Sequence, residues 1–74
     1  MAAYDAGDFA TALAEWKPLA EQGDAVAQFY LGVMYANGEG VIEDDKEAVK
    51  WYRLAAEQGF AQAHIILVII MQKA

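Results

Sequence analysis

The groups in this chain that could exchange a proton or hold a cation are eleven carboxylates, four tyrosines, four lysines and one histidine, His64. Nucleophiles are nearly absent: the 74 residues hold no cysteine and no serine, and Thr11 is the only threonine. A serine–histidine–carboxylate triad cannot be assembled from this set, and neither can a thiolate or poly-histidine zinc site. The densest acidic cluster is Glu43-Asp44-Asp45 with Glu47. A calcium loop needs oxygen ligands at fixed spacings around a central glycine, which this run lacks. Carboxylates grouped this way favour the positive end of a helix dipole, so the cluster reads as a helix N-terminus. His64 lies in an apolar stretch, four residues before Val68, and reads as a partly buried or interface residue rather than a ligand or base. Trp16, Trp51 and Tyr52 fall at helical spacing and read as core, not as a platform for stacked bases. No catalytic, cofactor-binding or metal-binding residue is expected, and no cofactor.

Composition narrows the classes further. Hydrophobic residues make up 58% and charged residues 22%, the reverse of a disordered tail. Five basic against eleven acidic residues leave a formal charge of −6. Binding to nucleic acid relies on Lys and Arg displacing counterions from phosphates, so no nucleic-acid partner is expected. An anionic membrane surface is disfavoured for the same reason. The opening Met1-Ala2-Ala3-Tyr4-Asp5 has neither the basic nor the apolar region of a secretory signal, and the compartment is left open. At this length the chain is one domain or part of one.

These residues are positioned by a repeat. Ala20-Glu21-Gln22-Gly23 recurs 36 residues later as Ala56-Glu57-Gln58-Gly59. The same offset pairs Asp8 with Asp44, Ala12 with Ala48, Trp16 with Tyr52, Ala25 with Ala61, Ala27 with Ala63 and Leu31 with Leu67. A period of about 20–50 residues signals a solenoid or array. The repeated unit reads as two helices. Asp24 caps a helix that runs to Asn37, and Gly38-Glu39-Gly40 stops it. Asp44 caps the next, with Glu47 completing a capping box, and that helix runs to Gln58. Its apolar positions Ala48, Val49, Trp51, Tyr52, Ala55 and Ala56 recur at spacings of three and four, which buries one stripe. The spacing predicts helices over 8–22, 24–37, 44–58 and 60–73. Pro18 predicts a kink from Ala14 to Pro18 or a tightened last turn, because it removes one helical hydrogen bond. Residues 1–6 read as the last turn of an incomplete helix stopped at Gly7.

The motif Ala25-x-Ala27-x-x-x-Leu31-Gly32-x-x-Tyr35, then Gly38-x-Gly40-Val41, Asp44 and Ala48-x-x-Trp51-Tyr52-x-x-Ala55-Ala56-Glu57-Gln58-Gly59, resembles the Sel1-like repeats, relatives of the tetratricopeptide repeats. The resemblance implies an all-α, right-handed α/α superhelix of stacked antiparallel helix pairs. It implies a single domain over 1–74: 8–23 as the second helix of a partial repeat, 24–59 as a complete repeat and 60–74 as the first helix of another. Ala27, Gly32 and Ala55 would allow close helix approach, with Leu31, Tyr35, Trp51 and Tyr52 filling the space between pairs. The last copy departs from the pattern, with Val68 at the place of Gly32 and Met71 at that of Tyr35. The family often carries Asn where this chain has Tyr30 and Ile66, so a side-chain amide clamp on a bound peptide is not expected.

The function implied is a non-catalytic protein–protein interaction scaffold. By analogy with tetratricopeptide repeats, the partner would meet Val26, Phe29, Tyr30, Val33 and Asn37, with Gln62, Ile66 and Ile69 in the next copy. That set suits a hydrophobic segment better than an acidic tail. A hydrolase like some cysteine-rich relatives that act on β-lactams would need nucleophiles this chain lacks. A membrane-associated role rests on Ile65 to Met71, a run of seven apolar residues. A spanning helix needs about 20, and an interfacial one wants a basic face where only Lys73 stands. The apolar last helix is instead expected to join copies into a homo-oligomer through Ile65, Ile66, Ile69 and Ile70. Elemental analysis of the purified protein should find no stoichiometric zinc or iron; one tightly held metal per chain would contradict this reading.

Overall fold

The computed structural model describes residues 7–73, so the turn expected over residues 1–6 lies outside the described residues. Among the described residues there are four α-helices and no strand. They are α1 (Phe9–Glu21), α2 (Ala25–Asn37), α3 (Asp45–Glu57) and α4 (Ala61–Lys73). Each packs against its neighbour in sequence, as short connections dictate.

The caps explain where the helices begin. Asp8 accepts the Thr11 N–H at 3.2 Å and Asp24 accepts the Ala27 N–H at 3.0 Å. Bonds from the Thr11 hydroxyl and amide hold the Asp8 carboxyl below its usual value. Asp44 accepts from both Lys46 at 3.0 Å and Glu47 at 3.2 Å. The expected capping box is only half formed. The Asp44 N–H donates to the Tyr35 carbonyl at 2.9 Å, and the Glu47 carboxylate turns to Lys50 at 3.7 Å. The last carbonyls of α2 lack partners within their own helix, and one of them takes the amide that Glu47 would have held.

The helix ends repeat with the sequence. The Asp24 N–H reaches back to the Leu19 carbonyl at 3.0 Å, and 36 residues later Phe60 does the same to Ala55 at 3.2 Å. This is the Schellman closure. α1 runs through Pro18, and its last turn is tightened: the Gln22 N–H is shared between the Pro18 and Leu19 carbonyls, both at 3.1 Å. α2 stops at Gly38, whose φ of 69° is left-handed.

Two core clusters follow from the same period. The first joins Ala12, Trp16 and Ala20 of α1 to Ala27, Leu31 and Met34 of α2, with Trp51 of α3. The second joins Ala48, Tyr52 and Ala55 of α3 to Ala63 and Leu67 of α4. Ala12, Trp16, Ala27 and Leu31 in one are Ala48, Tyr52, Ala63 and Leu67 in the other, each moved by 36 positions. The clusters are linked through α2 and α3 at Gly32. A β-carbon placed on Gly32 would lie 2.6 Å from two ring carbons of Tyr52, itself buried. No side chain fits there without moving the ring.

Gly32→Ala should therefore lower stability even though alanine is the better helix former by about 1 kcal/mol. Gly32→Val should lower it more, with overpacking costing about 1–3 kcal/mol. Thermal unfolding checks both, and a Tm raised by each would contradict the close approach.

Candidate functional site

The expected interaction residues divide by the phase of their helices. On α2, Val26 and Asn37 are exposed, whereas Phe29, Tyr30 and Val33 are half-buried. Tyr30 stacks on Trp16 with ring centroids 4.6 Å apart. Phe29 lies between Tyr52 and Phe60, at 5.8 and 5.0 Å. Both rings thus serve the packing of α2 while keeping one edge accessible. On α4, Gln62 and Ile69 are exposed and Ile66 is half-buried. Val33 and Ile66 both pack on the second core cluster, one from α2 and the other from α4.

The expected self-association residues divide in the same way. Ile66 and Ile70 pack on the second core cluster. Ile65 and Ile69 face outward, 57% and 48% exposed, joined by Val68 at 42% and Met71 at 66%. Successive helical residues turn by about 100°, so the four isoleucines span one broad arc, of which Ile66 and Ile70 are the half-buried edge leaning on the core and Ile65 and Ile69 the open edge. His64, expected to be partly buried or at an interface, is exposed on this chain. It stands 36 positions after Gln28, which is buried because α3 ends beside it.

Gln28 and Gln58 form a polar contact between helices that sequence reasoning missed. The Gln28 amide donates to the Ala20 carbonyl at 3.1 Å. Gln58 donates to the Gln28 side-chain oxygen at 2.9 Å and to the Gly23 carbonyl at 2.8 Å. One pair of side chains so ties the end of α3 to the α1–α2 turn. The signal was present in the recurring Ala-Glu-Gln-Gly, whose glutamine follows a helix end. These amides cannot serve as acid or base. Among the described residues no group of three or more His, Cys, Asp or Glu side chains converges as a metal site. Asp44 sits at the cap of α3 and Asp45 and Glu47 in its first turn, the dipole end to which the acidic cluster was assigned.

A paired-helix unit with a glycine at its crossing and an amide tie at its base also matches a known family model. The Sel1 repeat model covers residues 25–60. The chain carries a Sel1 repeat. Two curated relatives are similar to it, each named exopolysaccharide production negative regulator, from Rhizobium leguminosarum bv. viciae and Rhizobium meliloti (strain 1021). Each is 40% identical over 57 residues, which is 77% of this chain and 21% of the relative. The chain thus spans about a fifth of the length of the relatives it matches. No solved structure matches it. Within the Sel1 repeat, Gln28 lies near the start and Gln58 near the end, so their bond closes the unit on itself.

Gln28→Leu, which keeps most of the buried volume, should cost about 1–3 kcal/mol through the lost bonds. In a double-mutant cycle with Gln58→Ala the two effects should couple by roughly 0.5 kcal/mol or more. Strict additivity would show that the amides act separately.

Proposed function

We propose that this chain is a non-catalytic scaffold module that binds a protein partner through the first-helix face of its Sel1 repeats. On this reading residues 24–59 are a complete repeat, 8–23 the second helix of the preceding unit and 60–74 the first helix of the following one. The observation that carries it is that the expected positions on α2 and α4 are mostly apolar and only partly covered by the core. Val26 and Ile69 stand open on these helices, 43% and 48% exposed. The half-buried Phe29, Val33 and Ile66 pack on the second core cluster and the half-buried Tyr30 on the first. The remaining positions, Asn37 and Gln62, are polar and exposed.

These positions offer apolar area without a charged side chain, which favours a hydrophobic helix or segment over an acidic tail in a chain of charge −6. The relatives named as negative regulators of exopolysaccharide production supply a setting, in which a repeat module acts by holding a partner. The same reading includes association with a second copy through α4. A membrane-spanning role gains no support, since no helix among the described residues is long and apolar enough to cross a membrane.

Selection of random displayed peptides on the immobilised chain tests the proposal. Apolar, helix-forming peptides should be enriched, and Val26→Lys, remote from the core, should lose them while keeping its helical circular dichroism. Enrichment of acidic peptides, or binding indifferent to Val26, would contradict the assignment.

A further inference from the structure

The outward face of α4 copies a face that is covered elsewhere in the same chain. On α2, Phe29, Gly32, Val33 and Ala36 receive α3: three pack on the cluster built around Ala48, Tyr52 and Ala55, and Gly32 meets the Tyr52 ring. Moved by 36 positions, these are Ile65, Val68, Ile69 and Gln72 of α4, and all four are exposed. α4 therefore presents a helix-receiving face that no described helix occupies.

Val68 decides what can occupy it. A β-carbon at Gly32 would already strike the Tyr52 ring at 2.6 Å. A helix like α3, with a tyrosine at the crossing, cannot come as close to α4, where a valine stands in the glycine's place. Branched aliphatic side chains, by contrast, interlock at the ordinary interaxial distance of about 8–10 Å. α4 itself supplies such a set.

Charge points to the same occupant. All eleven carboxylates lie outside α4, so this face lets two chains of charge −6 meet without opposing acids. An antiparallel pairing also brings the Lys73 end of each α4 to the partner's α3–α4 turn, which follows Glu57.

Resting on the self-association reading above, we propose that two copies of this chain pair across a two-fold axis through antiparallel α4 helices. Ile65 of each copy packs against Val68 of the other, with Ile69 and Gln72 beside them. A 13-residue helix is about 20 Å long, so the contact is smaller than the ~1,600 Å² of a standard interface. The dimer is accordingly weak, with dissociation in the micromolar range.

Sedimentation equilibrium of the whole chain from micromolar to millimolar concentration tests the pairing. The average mass should rise from one chain to two and stop there. Ile65→Lys and Ile69→Lys should each weaken association by about tenfold or more, because each buries an unpaired ammonium. Ile42→Lys, at a loop position 91% exposed, should not. Circular dichroism should be unchanged in all three. A single-chain mass throughout would overturn both the pairing and the self-association reading, leaving the face to a helix of another protein. A dimer untouched by Ile65→Lys and Ile69→Lys would keep self-association but overturn this surface. Growth beyond two chains would overturn the two-fold arrangement.

Discussion

The contact between Gly32 and the Tyr52 ring sets the distance between α2 and α3, and the remaining structure is organised around that distance. With no side chain on Gly32, the ring lies directly on the backbone of α2. Tyr52 then belongs to the second core cluster while Trp51, its neighbour in the chain, belongs to the first. Adjacent residues of one helix thereby anchor two cores, and the chain becomes a stack rather than a single bundle. The Gln28–Gln58 bond closes the same pair of helices at the opposite end from the Tyr35–Asp44 bond. A small residue at the crossing and a hydrogen bond toward each end leave this pair little freedom to slide.

Much of this was legible in the sequence because it is local or periodic. Asp8, Asp24 and Asp44 announce the helix starts through side chains that reach only two or three residues ahead. The 36-residue offset carries much of the core, since Ala12, Trp16, Ala27 and Leu31 of one cluster have their counterparts in Ala48, Tyr52, Ala63 and Leu67 of the other. Pro18 was legible as a point of strain, and α1 runs through it to a tightened last turn. What escaped the reading is non-local or lacks a phase. The Asp44 amide goes to Tyr35, nine residues back across a loop, so a capping box expected from Asp44 and Glu47 alone forms only its first half. Gln28 and Gln58 are 30 residues apart and meet only after folding. Ile65 to Met71 is apolar throughout, so hydrophobicity cannot say which side faces the core. The repeat offset does: Ile66 and Ile70 take the places of Tyr30 and Met34, and they turn inward as those residues do.

The candidate site is legible to a smaller extent for a related reason. In a stacked repeat the same apolar residues must both hold neighbouring helices and present a surface to partners. Phe29 and Tyr30 pack against neighbouring elements, and Val26 and Ile69 are the more open of the expected positions. The chain holds little reactive chemistry, and its buried polar side chain, Gln28, is spent on structure. Its distinguishing surfaces are therefore apolar ones, set within an acidic molecule. The Sel1 repeat supplies the scaffold, and substitutions such as Val68 for the glycine of the preceding copy decide what each exposed helix can accept.

The central claim is the close approach of α2 and α3, and nuclear Overhauser spectroscopy measures it directly. Strong cross-peaks should join the Gly32 α-protons to the ring protons of Tyr52, with Phe29 aromatic protons reaching the same ring. Absence of the Gly32–Tyr52 peaks in the folded chain, with Tyr52 instead meeting only side chains of its own cluster, would contradict the account.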